Sequence, residues 1–335
     1  MSLPPKEIPL GAMRFNSDSQ KLEYFNGETW FQIHTFNPNL DGGVRGLHGG
    51  GAATTINTIQ YITISTHGNA VDFGDFPQRQ YLTAATSSRT RGIWMGGYTN
   101  SPSSTYINSI QAVEMQSTGN GFDFGDLTQT AGYNGITGNQ TRAIRLGGTG
   151  PANPSTNVMD YVTIATTGNA LDYGDVSTGG GQSTNLNSPT RGVFSVAYGA
   201  GIDFVTIPTL GNSQDFGSLV TGVLQEPRGA CNAVRGILAG GYDPSPGANV
   251  GYIQYLAMAT RGNTIDFGDL LASQRVSAGT SSPTRAVWFG GLSPSGVNTI
   301  QYVQIATTGD AVDFGDCVET VYEGGACSTG HGGLQ

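Results

Sequence analysis

An all-β fold, a six-bladed β-propeller preceded by a short β-meander, is predicted by three features of the sequence. The tetrapeptide Asp-[Phe/Tyr]-Gly-[Asp/Ser] returns six times, beginning at Asp72, Asp123, Asp172, Asp215, Asp266 and Asp313. Between the copies run short apolar stretches cut by turns, and glycine is the commonest residue, at 52 of 335. The first 41 residues stand outside this period. A unit recurring every roughly 40 to 50 residues and built of short strands is the sequence form of a four-stranded propeller blade. Asp-Phe-Gly alone also marks the metal-binding loop of protein kinases, but the glycine-rich loop, lysine strand and His-Arg-Asp loop that accompany it there are missing.

Residues 11–18, 21–27 and 29–33 form three short alternating runs separated by polar turns, which reads as a β-meander. So small a unit buries little surface, so it is expected to lean on the rest of the chain or on another chain. The expected division is therefore a meander over 1–41 and a propeller over 42–335.

Residues 82–126 show the blade most clearly. A small-residue run at 83–88 leads through Thr90 and Arg91 into Gly92-Ile93-Trp94-Met95-Gly96-Gly97, and a variable loop follows. The third strand, 107–116, alternates apolar and polar residues, turns at Thr118-Gly119-Asn120, and meets a short fourth strand carrying the tetrapeptide. The second strand restarts at Arg45, Arg91, Arg142, Arg191, Arg235 and Arg285. Residues 44–50 read as a second strand with no first strand before it, and 325–331 as a first strand with no second after it. The two are expected to pair, closing the ring and leaving no open sheet edge.

A Gly-Gly after the second strand, an aromatic near the third and a variable loop between them resemble kelch repeats, with Asp-Phe-Gly-Asp in place of the late Trp of that pattern. Gly11-Ala12-Met13-Arg14-Phe15-Asn16-Ser17-Asp18, then Lys21-Leu22-Glu23-Tyr24-Phe25-Asn26-Gly27 and Trp30, resembles a short module of tailed-bacteriophage structural proteins, including tail fibres. The Thr-Thr-Gly-Asn-Ala-(Val/Leu)-Asp repeats are similar to those of kelch-type virion proteins of marine and cyanobacterial phages. These resemblances imply a virion protein, assembled in the host cytoplasm and present in several copies per particle. Residues 1–41 would attach it to other virion proteins through Phe15, Tyr24, Phe25, Trp30 and Phe31. A tail or tail-fibre placement with host attachment is the first expectation, a head decoration or connector the second, and a glycan-degrading enzyme the third.

Six aspartates and six arginines in equal number suggest structural ion pairs between neighbouring blades. The alternative, calcium held by acids such as Asp72 and Asp75, needs more oxygen ligands than a four-residue unit offers. Up-and-down strands place the first and third turns of each blade at one end and the second turn and interblade link at the other. The turns at the first end are nearly constant, so that end reads as scaffold. At the other end the segments 98–106, 130–139, 149–157, 176–187 and 242–249 vary in length and are rich in Tyr, Asn, Ser, Gly and Pro, a mixture suited to recognition of a host glycan or protein. Tyr98, Tyr106, Tyr133, Asn134, Tyr242 and Asp243 are the candidate contacts. The fourth blade departs from the rest: Tyr198-Gly199-Ala200-Gly201 replaces Gly-Gly and its variable loop is nearly gone, which marks a notch or a docking side.

No chemistry is legible beyond this. The four histidines, His34, His48, His67 and His331, show no metal-ligand spacing, so no metal, cofactor or catalytic residue is expected. The Ser-x-Asp-x-Gly-x-x-Trp box of sialidases is missing, and nothing marks the copper ligands of a kelch oxidase. A net charge of −9 with only two lysines, Lys6 and Lys21, argues against nucleic acid and against anionic membranes. No apolar run approaches the length of a membrane helix and none resembles a signal peptide. Cys231, Cys317 and Cys327 are expected as buried free thiols.

Overall fold

The computed structural model of the protein describes residues 8–16, 21–32, 44–51, 56–181 and 186–335. The expected boundary between 41 and 42, positions 17, 18 and 33 of the meander runs, and 182–185 of one variable segment lie outside them. The fold is all-β and is built of small antiparallel sheets. It divides into two compact units, Met1–Gly43 and Val44–Gln335.

In the first unit the strands Met13–Asn16, Lys21–Phe25 and Trp30–Gln32 pair in that order. Period-two alternation sorts their side chains. Glu23 is buried and receives Arg14 in an ion pair at 2.8 Å, and the Arg14 guanidinium lies over the Trp30 ring at 4.1 Å.

Among its described residues the second unit contains six sheets with a four-strand antiparallel path and one two-stranded ribbon. Sheet 1 orders its strands Gly325–Ser328, Arg45–Gly49, Thr58–Thr63 and Val71–Asp75, so the C-terminal strand supplies the partner that the segment after residue 43 lacks. Sheet 2 runs Ala84–Ser87, Arg91–Thr99, Thr105–Glu114, Phe122–Asp126, and sheet 3 runs Gly135–Gly138, Arg142–Gly148, Thr156–Thr163, Leu171–Asp175. Sheet 4 follows with Leu186–Asn187, Arg191–Ser195, Gly201–Thr206, Gln214–Ser218, and sheet 5 with Arg228–Cys231, Arg235–Ala239, Tyr252–Ala257, Ile265–Asp269. Sheet 6 is Ala278–Ser281, Arg285–Leu292, Gly296–Gln304 and Val312–Val321.

Each of the six apolar cores formed by the described residues joins two consecutive sheets. Ile93, Ile110 and Phe124 of sheet 2 pack with Ile136 and Val162 of sheet 3, for example. The series passes through every neighbour pair and ends with Val287, Phe289 and Phe314 of sheet 6 against Ile62 and Ile64 of sheet 1. The first strands likewise touch in a circuit that returns to its start.

The tetrapeptide interlocks the sheets through its backbone. In sheet 2 the Phe124 and Asp126 carbonyls accept from the amides of Gly168 and Ala170 in the third turn of sheet 3, and the Asn169 side chain accepts from Asp126 N at 3.0 Å. The same pattern recurs at the other five copies, with Asn120, Asn212, Asn263, Asp310 and Asn69 in the place of Asn169. The ring of the motif is buried in each copy. Its leading aspartates, Asp72, Asp123, Asp172, Asp215, Asp266 and Asp313, all face solvent.

Pairing of these aspartates with the repeat arginines does not occur. The Arg45, Arg91, Arg142, Arg191, Arg235 and Arg285 guanidinium groups instead donate to main-chain carbonyls in the next sheet, Met115, Ile164, Ile207, Met258, Ile305 and Ile64 respectively. Each also lies over an aromatic ring of its own sheet, as Arg235 does over Tyr255 at 4.5 Å. The physical reason is reach: the arginine opens the second strand beside the last carbonyls of a neighbouring third strand, and a guanidinium suits both that acceptor and an aromatic face.

A second interlock was not anticipated. Gln60, Gln111, Asp160, Asp203, Gln254 and Gln301 occupy one buried position in the six third strands. Several hold the chain arriving from the preceding sheet: Gln111 Oε1 accepts from Gln78 N, Gln254 Oε1 from Val220 N and Gln301 Oε1 from Leu271 N. In sheet 3 the opposing residue is Arg145, and the fully buried Arg145–Asp160 ion pair replaces the Trp–Gln pairs of sheets 2 and 6.

The three cysteines are buried, and none is joined to another in a disulfide. Burial also holds two imidazoles neutral, His48 with its pKa lowered to about 3 and His331 to about 4. The unfolded chain takes up protons near 6.5 that these sites refuse, so stability falls as pH drops below about 6.5 and keeps falling until the folded values are reached. Burial raises the Glu323 carboxyl to about 6 and works in the opposite direction between about 6 and 4.5. Two groups against one leave a net loss on the order of 3 kcal/mol between pH 6.5 and 4.5, at about 1.4 kcal/mol per unit and group. Denaturant titrations across this range should show it, and His48→Phe should flatten the slope. An equal slope in that variant would exclude His48 as a source.

Candidate binding site

The segments preceding four of the six first strands meet the ends of the second strands, through the bridges Tyr81↔Tyr98, Gly132↔Thr149, Gln225↔Tyr242 and Arg275↔Leu292. This is the end at which the sequence varies, opposite to the interlocked turns. Two of its expected loops are largely strand. Tyr98 and Tyr106 pair in register inside the hairpin of Arg91–Thr99 and Thr105–Glu114, and Tyr242–Asp243 pairs with Ala248–Asn249 in a small ribbon. The cause is cross-strand packing: Tyr81, Tyr98 and Tyr106 meet edge to face at 5.3 and 5.0 Å, which extends the ladder toward the tip. Tyr242 lies under the Arg275 guanidinium at 5.0 Å, and Asp243 accepts from Ser245 N, so both serve the ribbon itself.

Tyr133 and Asn134 are placed differently. Both line a cavity of about 400 Å³, together with Tyr198, Glu226 and Arg228 and with apolar residues such as Leu224. It opens beside sheet 4, where the short connection Ala197–Ala200 stands in place of a long hairpin and Val196 N bonds directly to Gly201 O. The departure seen at Tyr198-Gly199-Ala200-Gly201 thus coincides with the cavity.

Backbone strain is concentrated here. Among the described residues six non-glycine positions have positive φ, and Leu82, Tyr133, Tyr198 and Glu226, at φ 52–58°, are four of them and line the cavity. The other two are Val276 and Glu323. Apart from Tyr198 they hold one repeated position, the residue that leads into a first strand. Tyr133 N bonds to Leu82 O, Leu82 N to Glu323 O and Glu323 N to Val276 O, which locks the strained residues to one another.

Electrostatics single out the same place. Burial pushes the Tyr133 hydroxyl up to about 12, with Glu323 and Glu226 nearby adding to the shift. Burial lowers the Arg228 pKa, against the acids Glu226 and Glu323, which raise it. Asn134, 2% exposed, donates from Nδ2 to Met95 O, while its Oδ1 meets no hydrogen-bond partner.

Sequence reasoning missed Glu226, Arg228 and Glu323. The available signal was the position just before each small-residue run, which reads Leu82, Tyr133, Glu226, Val276 and Glu323 within an otherwise constant unit.

The attachment candidates of the first unit divide between two faces. Phe15, Tyr24 and Phe31 join Met13 and Leu22 on one face, all of them exposed, whereas Phe25 and Trp30 pack together on the other at 5.4 Å. Among the described residues no cluster of His, Cys, Asp and Glu is arranged to hold a metal ion. The chain matches no family model, and no curated protein matches it.

Proposed function

We propose that this chain is a phage virion protein in which the six sheets are the blades of a kelch-like propeller, carried on the tail or a tail fibre and contacting the host surface with its variable end. The circuit of cores and interlocks supports the propeller, since each sheet lends its fourth strand to the next and the last to the first. The observation that carries the binding role is the contrast between the two ends. One repeats a single interlock six times, and the other gathers tyrosines, backbone strain and a sizeable cavity. Rigid presentation of such a surface in several copies converts weak contacts into avidity. The open apolar face of Met13, Phe15, Leu22, Tyr24 and Phe31 supports attachment to other virion proteins through residues 1–41, as does the resemblance of that segment to phage tail modules.

Antibody labelling of intact particles should place the protein at the tail, and the purified chain should compete with particles for adsorption to host cells. Label confined to the capsid would support a head decoration instead, and absence from purified particles would end the virion reading.

A further inference from the structure

We propose that the cavity beside sheet 4 is a site for one or two uncharged sugar rings, held by Asn134 and Glu226 and flanked by Tyr133 and Tyr198. The inference deepens the host-surface reading and rests on it for the source of the ligand. Three observations lead to it. The volume, about 400 Å³, lies in the range of small-molecule sites. Asn134 lines the space and its buried Oδ1 has no partner, an acceptor that a small shift of the amide presents to a ligand hydroxyl. Positive-φ residues surround the space, and strained backbone of this kind collects where a ligand is clamped.

The lining selects the class. The Glu226 carboxylate and Asn134 Oδ1 accept hydrogen bonds, which calls for a ligand rich in hydroxyl donors. Tyr133, Tyr198, Leu224 and Val196 offer apolar surface suited to the C–H face of a ring. Glu226 and Arg228 line the same space with opposite charge, so a strong anion meets the acid and a strong cation meets the guanidinium. A neutral polyol with one apolar face satisfies all of these demands.

The test uses the intact chain with the methyl glycosides of glucose, galactose, mannose and N-acetylglucosamine, read by saturation-transfer NMR and by titration. At least one should bind, Glu226→Gln should weaken it tenfold or more at an unchanged thermal midpoint, and Asn134→Leu should weaken it as much, with a lower midpoint from the lost bond to Met95 O. Val234→Ser, at an exposed turn of the opposite end, should bind as the parent does. If Asn134→Leu fails to fold, Glu226→Gln and Tyr198→Ala carry the test, because both residues keep exposed surface. Failure of all four glycosides to bind, binding that Glu226→Gln and Tyr198→Ala leave intact, or binding only of charged sugars such as glucuronic acid or glucosamine would overturn the site. Adsorption competition separates the two readings: a chain that binds none of the glycosides yet still blocks adsorption loses the sugar site and keeps the host-attachment role.

Discussion

Gly125→Ala is expected to lower the thermal midpoint by roughly 10 °C, far more than any change at the aspartate beside it. A Cβ at Gly125 falls 2.4 Å from Gly168 O and 2.5 Å from Gly168 C, and φ there is +149°. Both obstacles are backbone, so neither can rotate away. Strained φ costs about 1–3 kcal/mol and forced overlap a further 1–3, or about 4 together, at 2–4 °C per kcal/mol for a chain of this size. Two comparisons isolate the cause. Gly168→Ala places its Cβ in open space at φ +155° and should show the strain cost alone. Asp123→Ala, at a solvent-facing carboxylate, should stay within about 0.5 kcal/mol of the parent. Equal losses for Gly125→Ala and Gly168→Ala would refute the interlock as the sensitive element.

Removal of residues 325–335 should cost more still, with a loss above 5 kcal/mol and a less cooperative transition. The segment contributes the strand that covers Arg45–Gly49, and Ala326, Cys327 and Leu334, all buried. Each such side chain is worth about 1–3 kcal/mol when buried, before the ladder hydrogen bonds are counted. It also takes in Trp94, whose Nε1 donates to Gly325 O, and the turn Gly332–Leu334. His331 bonds to Ser87 O at 2.8 Å and Leu334 O accepts from Arg89, so the last residues tie sheet 1 to sheet 2 from a second direction. Truncation at 330 removes only this turn and should give an intermediate loss. An exposed edge at Arg45–Gly49 should also favour association, detectable by sedimentation. A midpoint unchanged by the full deletion would show that the circuit does not depend on this closure.

The strands and their grouping were largely legible because local rules set them. Alternation, glycine turns and the return of one tetrapeptide mark each four-strand unit, and the unmatched segments at 44–50 and 325–331 indicate that they pair. The partner of the repeat arginine was not legible. Equal numbers of Asp and Arg suggested ion pairs, but stoichiometry carries no distance, and the acceptor that all six guanidinium groups share is a carbonyl of another sheet. The cavity was half legible: the departure at Tyr198 and the variable pair Tyr133-Asn134 both pointed to it, 64 residues apart in the chain. Arg228 gave no signal, since an arginine before a strand resembles any solvated link, and Glu226 was marked only by its place in a position that varies from repeat to repeat.

The amino-acid sequence by itself determined that this is an all-β chain of repeated four-strand units, that its two ends must differ, and that the Asp-Phe-Gly-Asp motif is structural. Periodicity and turn chemistry act over a few residues, and those residues are all on the page. Tertiary structure alone decided how the motif works, through its backbone and glycine rather than its carboxylates, and where strain, an unpartnered amide oxygen and opposed charges come together. Those features depend on which segments of different sheets lie within a few ångströms of one another, a matter of packing geometry that no local pattern encodes.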